Sequence, residues 1–347
     1  MKKHLKVLVI FDYPKRPAAD EDYAANLSPE DWRCENNVIA ALKELGHEVK
    51  LLGIHDRVRP LLFEIRRRPP DIVFNLAEAF SNDRANEANL AGFLELLQIP
   101  YTGCRAQTLS LCRHKAFTNS LLSSHRIKVP KSVLVPRRSR KKTLGRLRFP
   151  VIVKPLGLEG SDGIHRNSRA ENEKACWERV KALHAELDTD ALVEEFIEGR
   201  EIYSAVLGNH RLEILPLREM LFENFPEERQ KFATYKAKWD EKYRKTWGIK
   251  NTFAKDLPPG VEKKIRHISK TAYRVLQLNG YGRLDMRLGP DGEVYVLEVN
   301  PNPGLADDDE VALAAQKAGI KYPQLIQRVL AYGMALPPFR DGGRVAL

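Results

Sequence analysis

The sequence predicts a chain of mixed α/β and α+β class: an N-terminal parallel-sheet unit followed by two α+β units. Three observations carry this. Strand-like and helix-like patterns alternate over the first third of the chain, which implies a parallel sheet with crossover helices. A buried-type strand, Phe149–Pro155, runs straight into a glycine-rich turn. Near the end, Gly282–Leu288 and Glu293–Val299 read as a hairpin around Pro290-Asp291-Gly292, a strong turn signal.

Lys6–Phe11 is a run of apolar residues ended by Asp12-Tyr13-Pro14, and reads as the first strand. Asn36–Leu45 places Val38, Ile39, Leu42 and Leu45 on one helical stripe, and Gly46 is positioned to end it. His47–Leu52 and Asp71–Leu76 are the next strands, Ala85–Leu97 a helix, and Ile99-Pro100-Tyr101 a short extended piece. The first unit is expected to span residues 1–113 and a second, residues 114–197. In the second, Lys115–Ser124 and Glu171–Leu187 read as helices, Val133–Val135, Phe149–Pro155 and Ala191–Ile197 as strands.

A third unit, 198–347, opens with Ile202–Leu207 and Leu212–Leu217, paired around Gly208-Asn209. Glu223–Asp256 is polar, aromatic and without period, and reads as a long irregular loop. Pro258–Leu278 is helical, the hairpin follows, and Glu310–Ala318 and Tyr322–Tyr332 are terminal helices. There is no internal repeat.

With 347 residues, 43% hydrophobic and 30% charged, the chain has the composition of a folded protein with real cores. No apolar run is long enough to span a bilayer, and the basic start lacks the long apolar stretch and cleavage site of a signal peptide. The four cysteines, Cys34, Cys104, Cys112 and Cys176, form no CxxC pair, so zinc and dithiol chemistry get no support. A reducing, cytoplasmic location is expected. The formal charge is +11, with an excess in Arg137, Arg138, Arg140, Lys141, Lys142, Arg146 and Arg148. A polyanion partner, or ATP and an acidic substrate, would each suit the basic charge, but that stretch reads first as a solvated loop or lid edge. No interleaved aromatics or reading module accompany it, so nucleic acid is not the expected partner.

Three segments have the composition of a chemical site. Val151–Ile164 delivers Lys154 from a strand into a loop holding Gly157, Gly160, Ser161 and Gly163. Glycines let backbone N–H groups approach phosphate oxygens, and the lysine adds a point charge. No Gly-Lys-Ser/Thr ends the loop, so it is not a Walker motif; a glycine-rich hairpin with an exposed lysine has the same local pattern. Val193–Glu201 alternates apolar residues with carboxylates at a strand end, where backbone can meet a base edge and a carboxylate a ribose; a solvated edge strand would read alike. In the hairpin, alternation puts Arg283 and Asp285 on one face, and likewise Glu298 and Asn300. Three oxygen donors beside an arginine suit a hard divalent cation with bound phosphates.

The order Lys115, Lys154-Pro155, Glu194…Glu201, Arg283…Asp285, Glu298…Asn300 resembles that of ATP-grasp enzymes. Pro100-Tyr101-Thr102-Gly103, Gly280–Asp285, Asn300…Pro303-Gly304 and Ala318-Gly319-Ile320…Leu325-Ile326 resemble D-alanine–D-alanine ligases, over most of the chain. The resemblance implies an ATP-grasp fold: a substrate-holding N-terminal domain, a central lid and a C-terminal catalytic unit. It implies a ligase joining a carboxylate to an amine through an acyl phosphate, with ATP and Mg2+ (or Mn2+) as cofactors, and a homodimer as a possible assembly.

Lys115 and Lys154 would then hold phosphates, with Gly160 and Ser161 in the phosphate loop. Glu194, with backbone near Phe196 and Ile197, would meet adenine, and Glu201 the ribose. Lys238 would approach the γ-phosphate, and Asp285, Glu298 and Asn300 would hold magnesium. Arg283, Lys238 and Ser161 are the catalytic candidates; Trp239, Gly304 and Asp309 are the substrate candidates.

The chain also departs from the family pattern. Gly160-Ser161 stands for a serine pair, and Trp239 for a loop tyrosine. Ala77-Glu78-Ala79-Phe80 replaces a His-Gly, the first strand lacks a serine and glutamate cluster, and Asp309 stands for a serine that greets a carboxylate. An aspartate there would repel a carboxylate, unless it serves only to cap the helix beginning near Glu310. Three other readings stand beside the amine ligase: a ligase with a thiol or hydroxyl nucleophile, a nucleotide-binding regulator without turnover, and a basic nucleic-acid-binding protein.

Overall fold

The computed structural model describes residues 4–18, 21–28, 31–139, 143–158, 160–225 and 231–336. Of the segments singled out above, Met1–Lys3, Arg140, Lys141, Lys142, Glu159 and positions 226–230 lie outside the described residues.

Strand β1 (Lys6–Asp12) is buried at five consecutive positions, Val7–Phe11, as a strand covered on both faces must be. Helices α1 (Tyr23–Asn26) and α2 (Arg33–Glu44) follow. Gly46, at φ 80°, ends α2: its N–H donates to the Lys43 carbonyl and the N–H of His47 to that of Leu42, so the last turn is satisfied. Strand β2 (Glu48–Ile54), α3 (Arg59–Arg67) and β3 (Ile72–Asn75) complete a three-stranded parallel sheet of order β2-β1-β3. The sequence pattern gave no hint of α3, whose arginine-rich face buries only Leu61 and Ile65. Helices α4 (Glu87–Leu96), α5 (Ala106–Arg113) and α6 (Lys115–Ser124) lead out, and Tyr101 forms a single parallel bridge to Val73.

The second sheet is antiparallel and four-stranded. It contains β4 (Ser132–Val135), β5 (Val151–Pro155), β6 (Arg169–Ala170) and β7 (Ala191–Glu195), in the order β4-β7-β5-β6. Helix α7 (Glu173–Leu187), capped by the Asn172 side chain accepting from the N–H of Ala175 at 3.0 Å, packs Cys176, Val180 and Leu183 on this sheet. These residues form a core with all four strands of this sheet and Leu144, separate from the cores of the other two sheets.

The third sheet is built on β8 (Arg200–Leu207), with β9 (Glu213–Ile214) a short partner of β8. Strand β10 (Arg218–Phe222), helices α8 (Tyr235–Trp239) and α9 (Glu241–Thr246), and strand β11 (Ile249–Phe253) come next. This corrects the expectation that Glu223–Asp256 is irregular. Thr234 caps α8 by accepting from Ala237 N–H, and Asp240 caps α9 by accepting from Tyr243 N–H. Phe222, Phe225, Tyr243 and Trp247 then pack as one aromatic cluster over Met220 and Ile249. Helix α10 (Val261–Val275), β12 (Tyr281–Leu288), β13 (Val294–Pro301), α11 (Glu310–Lys317) and α12 (Tyr322–Ala335) finish the described chain.

The main order is β11-β10-β8-β12-β13, so β12 is an interior strand, flanked by β8 and β13. Leu284 and Met286 of β12 are fully buried, in a core shared with β1, β3, α4 and α10. Leu284→Ala would cost about 2–5 kcal/mol. A second shared core joins β1 and β3 to α2, α11 and α12. The first and third sheets therefore rest on common apolar ground, whereas the second has a core of its own.

Candidate active site

A cleft of about 610 Å³ of open space is lined by residues of the second and third sheets. The register of β12 against β13 sets its floor. Asp285 sits directly opposite Glu298, and Arg283 opposite Asn300; beyond Asp285 the register shifts, so Leu297 is the extra residue of a bulge. Arg283 grips Asp285 with both arms of its guanidinium, Nε at 2.6 Å from Oδ1 and Nη2 at 3.1 Å from Oδ2. Asn300 Nδ2 donates to Asp285 Oδ1 at 3.1 Å, and Lys238 Nζ lies 3.4 Å from Oδ2.

Glu298 faces Lys115, the first residue of α6, across 3.0 Å; Lys115 Nζ also donates to the Leu158 carbonyl in the glycine-rich turn. Burial pushes both floor carboxyls up, but Arg283 and Lys238 outweigh it at Asp285, and Lys115 and Lys238 at Glu298. Both therefore titrate below the usual carboxylate range.

On the facing wall, Lys154 Nζ lies 2.6 Å from Glu194 Oε2, and Asn119 Nδ2 donates to Oε1 at 2.9 Å. Glu194 is 1% exposed, so this pair is held in a dry setting where an unpaired charge would be costly. The next residue, Glu195, turns to the opposite face and takes Arg148. Between the walls, Pro130, Ile152, Phe196, Ile197, Phe232 and Leu297 provide an apolar slot of the kind that accepts a flat base.

The glycine-rich turn is stitched to the 231–239 segment. Ser161, at φ 67°, donates its hydroxyl to the Ala233 carbonyl at 3.0 Å; Trp239 Nε1 donates to the Gly160 carbonyl at 2.8 Å; Tyr235 N–H donates to the Ile164 carbonyl at 3.0 Å.

Of the residues picked from sequence, Lys115, Lys154, Ser161, Glu194, Phe196, Ile197, Glu201, Lys238, Asp285 and Glu298 line one cleft, and Arg283 and Asn300 brace its floor. Gly160 and Trp239 stand at the mouth. Gly304 and Asp309 lie apart from the cleft, at the start of α11. Asp309 occupies the N-cap position, yet its carboxylate accepts from the N–H of Ala306 at 3.0 Å, outside the helix, and makes no cap bond. The helix-cap alternative is thereby corrected. Burial raises the Asp309 carboxyl above its ordinary range, the Ala306 bond and Arg283 opposing, Asp308 and Glu310 adding to it.

Among the described residues no three His, Cys, Asp or Glu converge to hold a metal ion. Two adjacent carboxylates and an amide are what magnesium uses when phosphates supply the remaining oxygens, so the donor set Asp285, Glu298 and Asn300 fits that ion. Sequence reasoning missed Asn119, Ile152, Phe232, Arg287 and Leu297. Arg287 follows Asp285 by two in the same strand, so alternation alone pointed to it; Phe232 was hidden in a segment read as formless.

Two sheets clamping a cleft, with lysines on one wall and paired carboxylates on the other, define an ATP-grasp fold. The structure of D-alanine–D-alanine ligase from Bacillus anthracis complexed with ATP superposes with a TM-score of 0.71, over 95% of this chain and 97% of that one, at 19% identity. The VanG D-Ala:D-Ser ligase of Enterococcus faecalis superposes at 0.70, over 94% and 99%, at 21% identity. An uncharacterized protein, y4sG, of Sinorhizobium fredii is 34% identical over 314 residues, 87% of this chain and 88% of its own. The D-alanine–D-alanine ligase of Cupriavidus metallidurans is 29% identical over 298 residues, 85% of each. A family model described as the D-ala D-ala ligase C-terminus matches residues 125–331. The chain belongs to the D-alanine–D-alanine ligase family of ATP-dependent ligases. No described helix is long and apolar enough to cross a membrane.

Proposed function

We propose that this protein is an ADP-forming ligase that joins a small carboxylate to an amine through an acyl phosphate, with its amino-acid pockets altered from the family pattern. The observation that carries the reading is the floor of the cleft, where Arg283, Lys238 and Asn300 converge on Asp285 beside Glu298. A cleft of this charge and shape accepts a nucleoside triphosphate. The base enters the slot between Ile152, Phe196 and Leu297, the ribose reaches Glu201, and Lys115 and Lys154 turn from their carboxylates to the phosphates. Asp285, Glu298 and Asn300 would hold magnesium, which supplies charge to screen the phosphate oxygens.

With the triphosphate held, a substrate carboxylate attacks the γ-phosphorus and ADP leaves. The amine then attacks the acyl carbon, and inorganic phosphate leaves in place of the poor leaving group hydroxide. Lys238 and Arg283 lie where negative charge builds in both steps. The Gly160–Ser161 turn and Trp239 form the lid that excludes water. In this reading residues 1–113 hold substrate, 114–197 are the lid, and 198–347 carry the chemistry.

The departures near the acceptor end support a product other than D-alanyl-D-alanine. Asp309 approaches so closely that a side chain at Gly304 would strike it, and Asp308, Asp309 and Glu310 follow one another. An acceptor lacking a free carboxylate at that end fits best. The test is an ATP-dependent phosphate-release screen over pairs of amino acids and small carboxylates. Release that requires both a carboxylate and an amine supports the reading. Release that needs only one partner, or a thiol or hydroxyl in place of the amine, overturns it.

A further inference from the structure

Arg287 is not needed for the chemistry described above, yet it is 4% exposed and reaches three parts of the cleft at once. It lies on β12 directly opposite Glu201 of β8, and its Nη2 donates to Glu201 Oε2 at 2.8 Å. Its Nη1 donates to the carbonyls of Gly199, at 3.1 Å, and Lys231, at 3.0 Å. Gly199 closes the β7–β8 turn at φ 127°, where a Cβ would collide with the Leu288 carbonyl, so the turn's carbonyl is fixed in place. Lys231 begins the segment that the glycine-rich turn latches onto. The guanidinium carbon stands 5.8 Å from the centre of the Phe196 ring, on the wall of the base slot.

Burying a guanidinium beside the Phe196 ring is costly, and a purely structural ion pair would satisfy every donor. Here the Nε–H has no partner among the described residues. The side chain is instead committed through both Nη atoms. Among the described residues Glu201 receives three donors: Arg287 Nη2 and the N–H of Ala233 at Oε2, and the Tyr203 hydroxyl at Oε1, 3.1 Å away. A carboxylate offers about four acceptor sites, so roughly one remains for an incoming hydroxyl, in a direction the other three dictate.

Resting on the nucleotide reading above, we infer that Arg287 is a positioning residue for sugar recognition. It holds the Glu201 carboxylate at the ribose end of the cleft while tying the Gly199 turn to the Lys231 segment, so that one side chain sets ribose selection.

The test is calorimetry of ATP, 2′-deoxy-ATP and 3′-deoxy-ATP with magnesium, on the full chain and on Arg287→Lys and Arg287→Met. Lysine keeps the charge and the fold but cannot serve three acceptors in fixed fork geometry. The unmodified protein is expected to bind at least one deoxy analogue roughly tenfold more weakly than ATP, the worth of one hydrogen bond to a charged group. Arg287→Met should bring that ratio close to one, as Glu201→Gln should, and Arg287→Lys should lower it several-fold. A role in folding alone would weaken all three ligands equally and leave the ratio intact; that outcome in either folded variant overturns the assignment. An unmodified protein that binds ATP without discriminating sugars overturns it too, with the nucleotide site standing. One that binds no ATP removes the nucleotide site as well.

Discussion

Lys115, on the first turn of α6, and Glu298, on β13, meet across 3.0 Å. The same relationship recurs at Lys154 with Glu194 and at Lys238 with Asp285. Each lysine that would serve a phosphate is held by a carboxylate before any ligand arrives, and Asp285 is shared between Lys238 and Arg283.

Removing one member of the most buried of these pairs is therefore expected to damage both stability and binding. Lys154→Met should cost about 3–5 kcal/mol, because Glu194 keeps only Asn119. Lys154→Met with Glu194→Leu should recover most of that stability while ATP affinity stays lost. Denaturant melts and calorimetry separate the two; unchanged ATP affinity in the double variant would remove Lys154 from the phosphate site.

At the floor, Asp285→Asn and Glu298→Gln keep shape and remove charge. Each should lower magnesium-dependent ADP formation by about a hundredfold or more, the scale of one lost electrostatic contact in a transition state. Magnesium titration of the rate checks it, and near-normal turnover in either variant would strike that residue from the metal site.

A pH effect is expected away from the cleft. Burial, with help from Asp12 and Glu78 and against a bond to its own backbone, pushes the Glu35 carboxyl up to about 7. Between the unfolded value of 4.5 and 7 the folded state holds a proton that the unfolded chain has released. Glu35 therefore withdraws stability as pH rises through that window. Glu35→Gln should melt higher than the parent above pH 7 and no higher below pH 4.5. Melting curves that stay parallel from pH 4 to 8 would contradict this.

Trp239 is 60% exposed, so Trp239→Ala should change stability by less than about 1 kcal/mol. Its bond to Gly160 is a latch, so amide exchange in 160–163 and 231–239 should quicken in the variant, and should slow in the parent when ATP binds. Exchange insensitive to both changes would count against a lid.

Asp309→Ser should alter which amines are accepted while ATP affinity holds, since the residue stands apart from the nucleotide cleft. An unchanged acceptor profile would detach Asp309 from substrate choice, and efficient D-alanyl-D-alanine synthesis by the parent would overturn the altered-pocket reading.

The hairpin of β12 and β13 was legible because alternation along each strand puts Arg283 with Asp285, and Glu298 with Asn300, on one face; the bulge at Leu297 that brings Asp285 opposite Glu298 was not. The α6 bounds were legible too, helix period and all. What escaped was long-range. Strand β10 carries buried Arg218 and Glu219, whose charges mark a loop until Glu310 and Arg200 arrive from elsewhere in the chain to pair with them. Phe225, Tyr243 and Trp247 have no period of their own; they become a core only once β10 and β11 pair. Arg287 finds Glu201 across 86 positions, beyond any window in which a sequence pattern operates.

The separate core beneath α7 divides the molecule into a fixed jaw and a swinging one. The first and third sheets share two cores, and Asn302 is clipped beneath Gly103 by accepting the N–H of Cys104 at 2.7 Å, so no hinge lies between them. In the proposed ligase the sheet from β4 to β7, with a core of its own, is the part that would rock, opening and closing on the nucleotide. The ground around Gly304 and Asp309 belongs to the fixed jaw, so its width is the same with the mouth open or shut. Such an enzyme would choose its amine by rigid fit and keep its moving parts for guarding the activated intermediate against water.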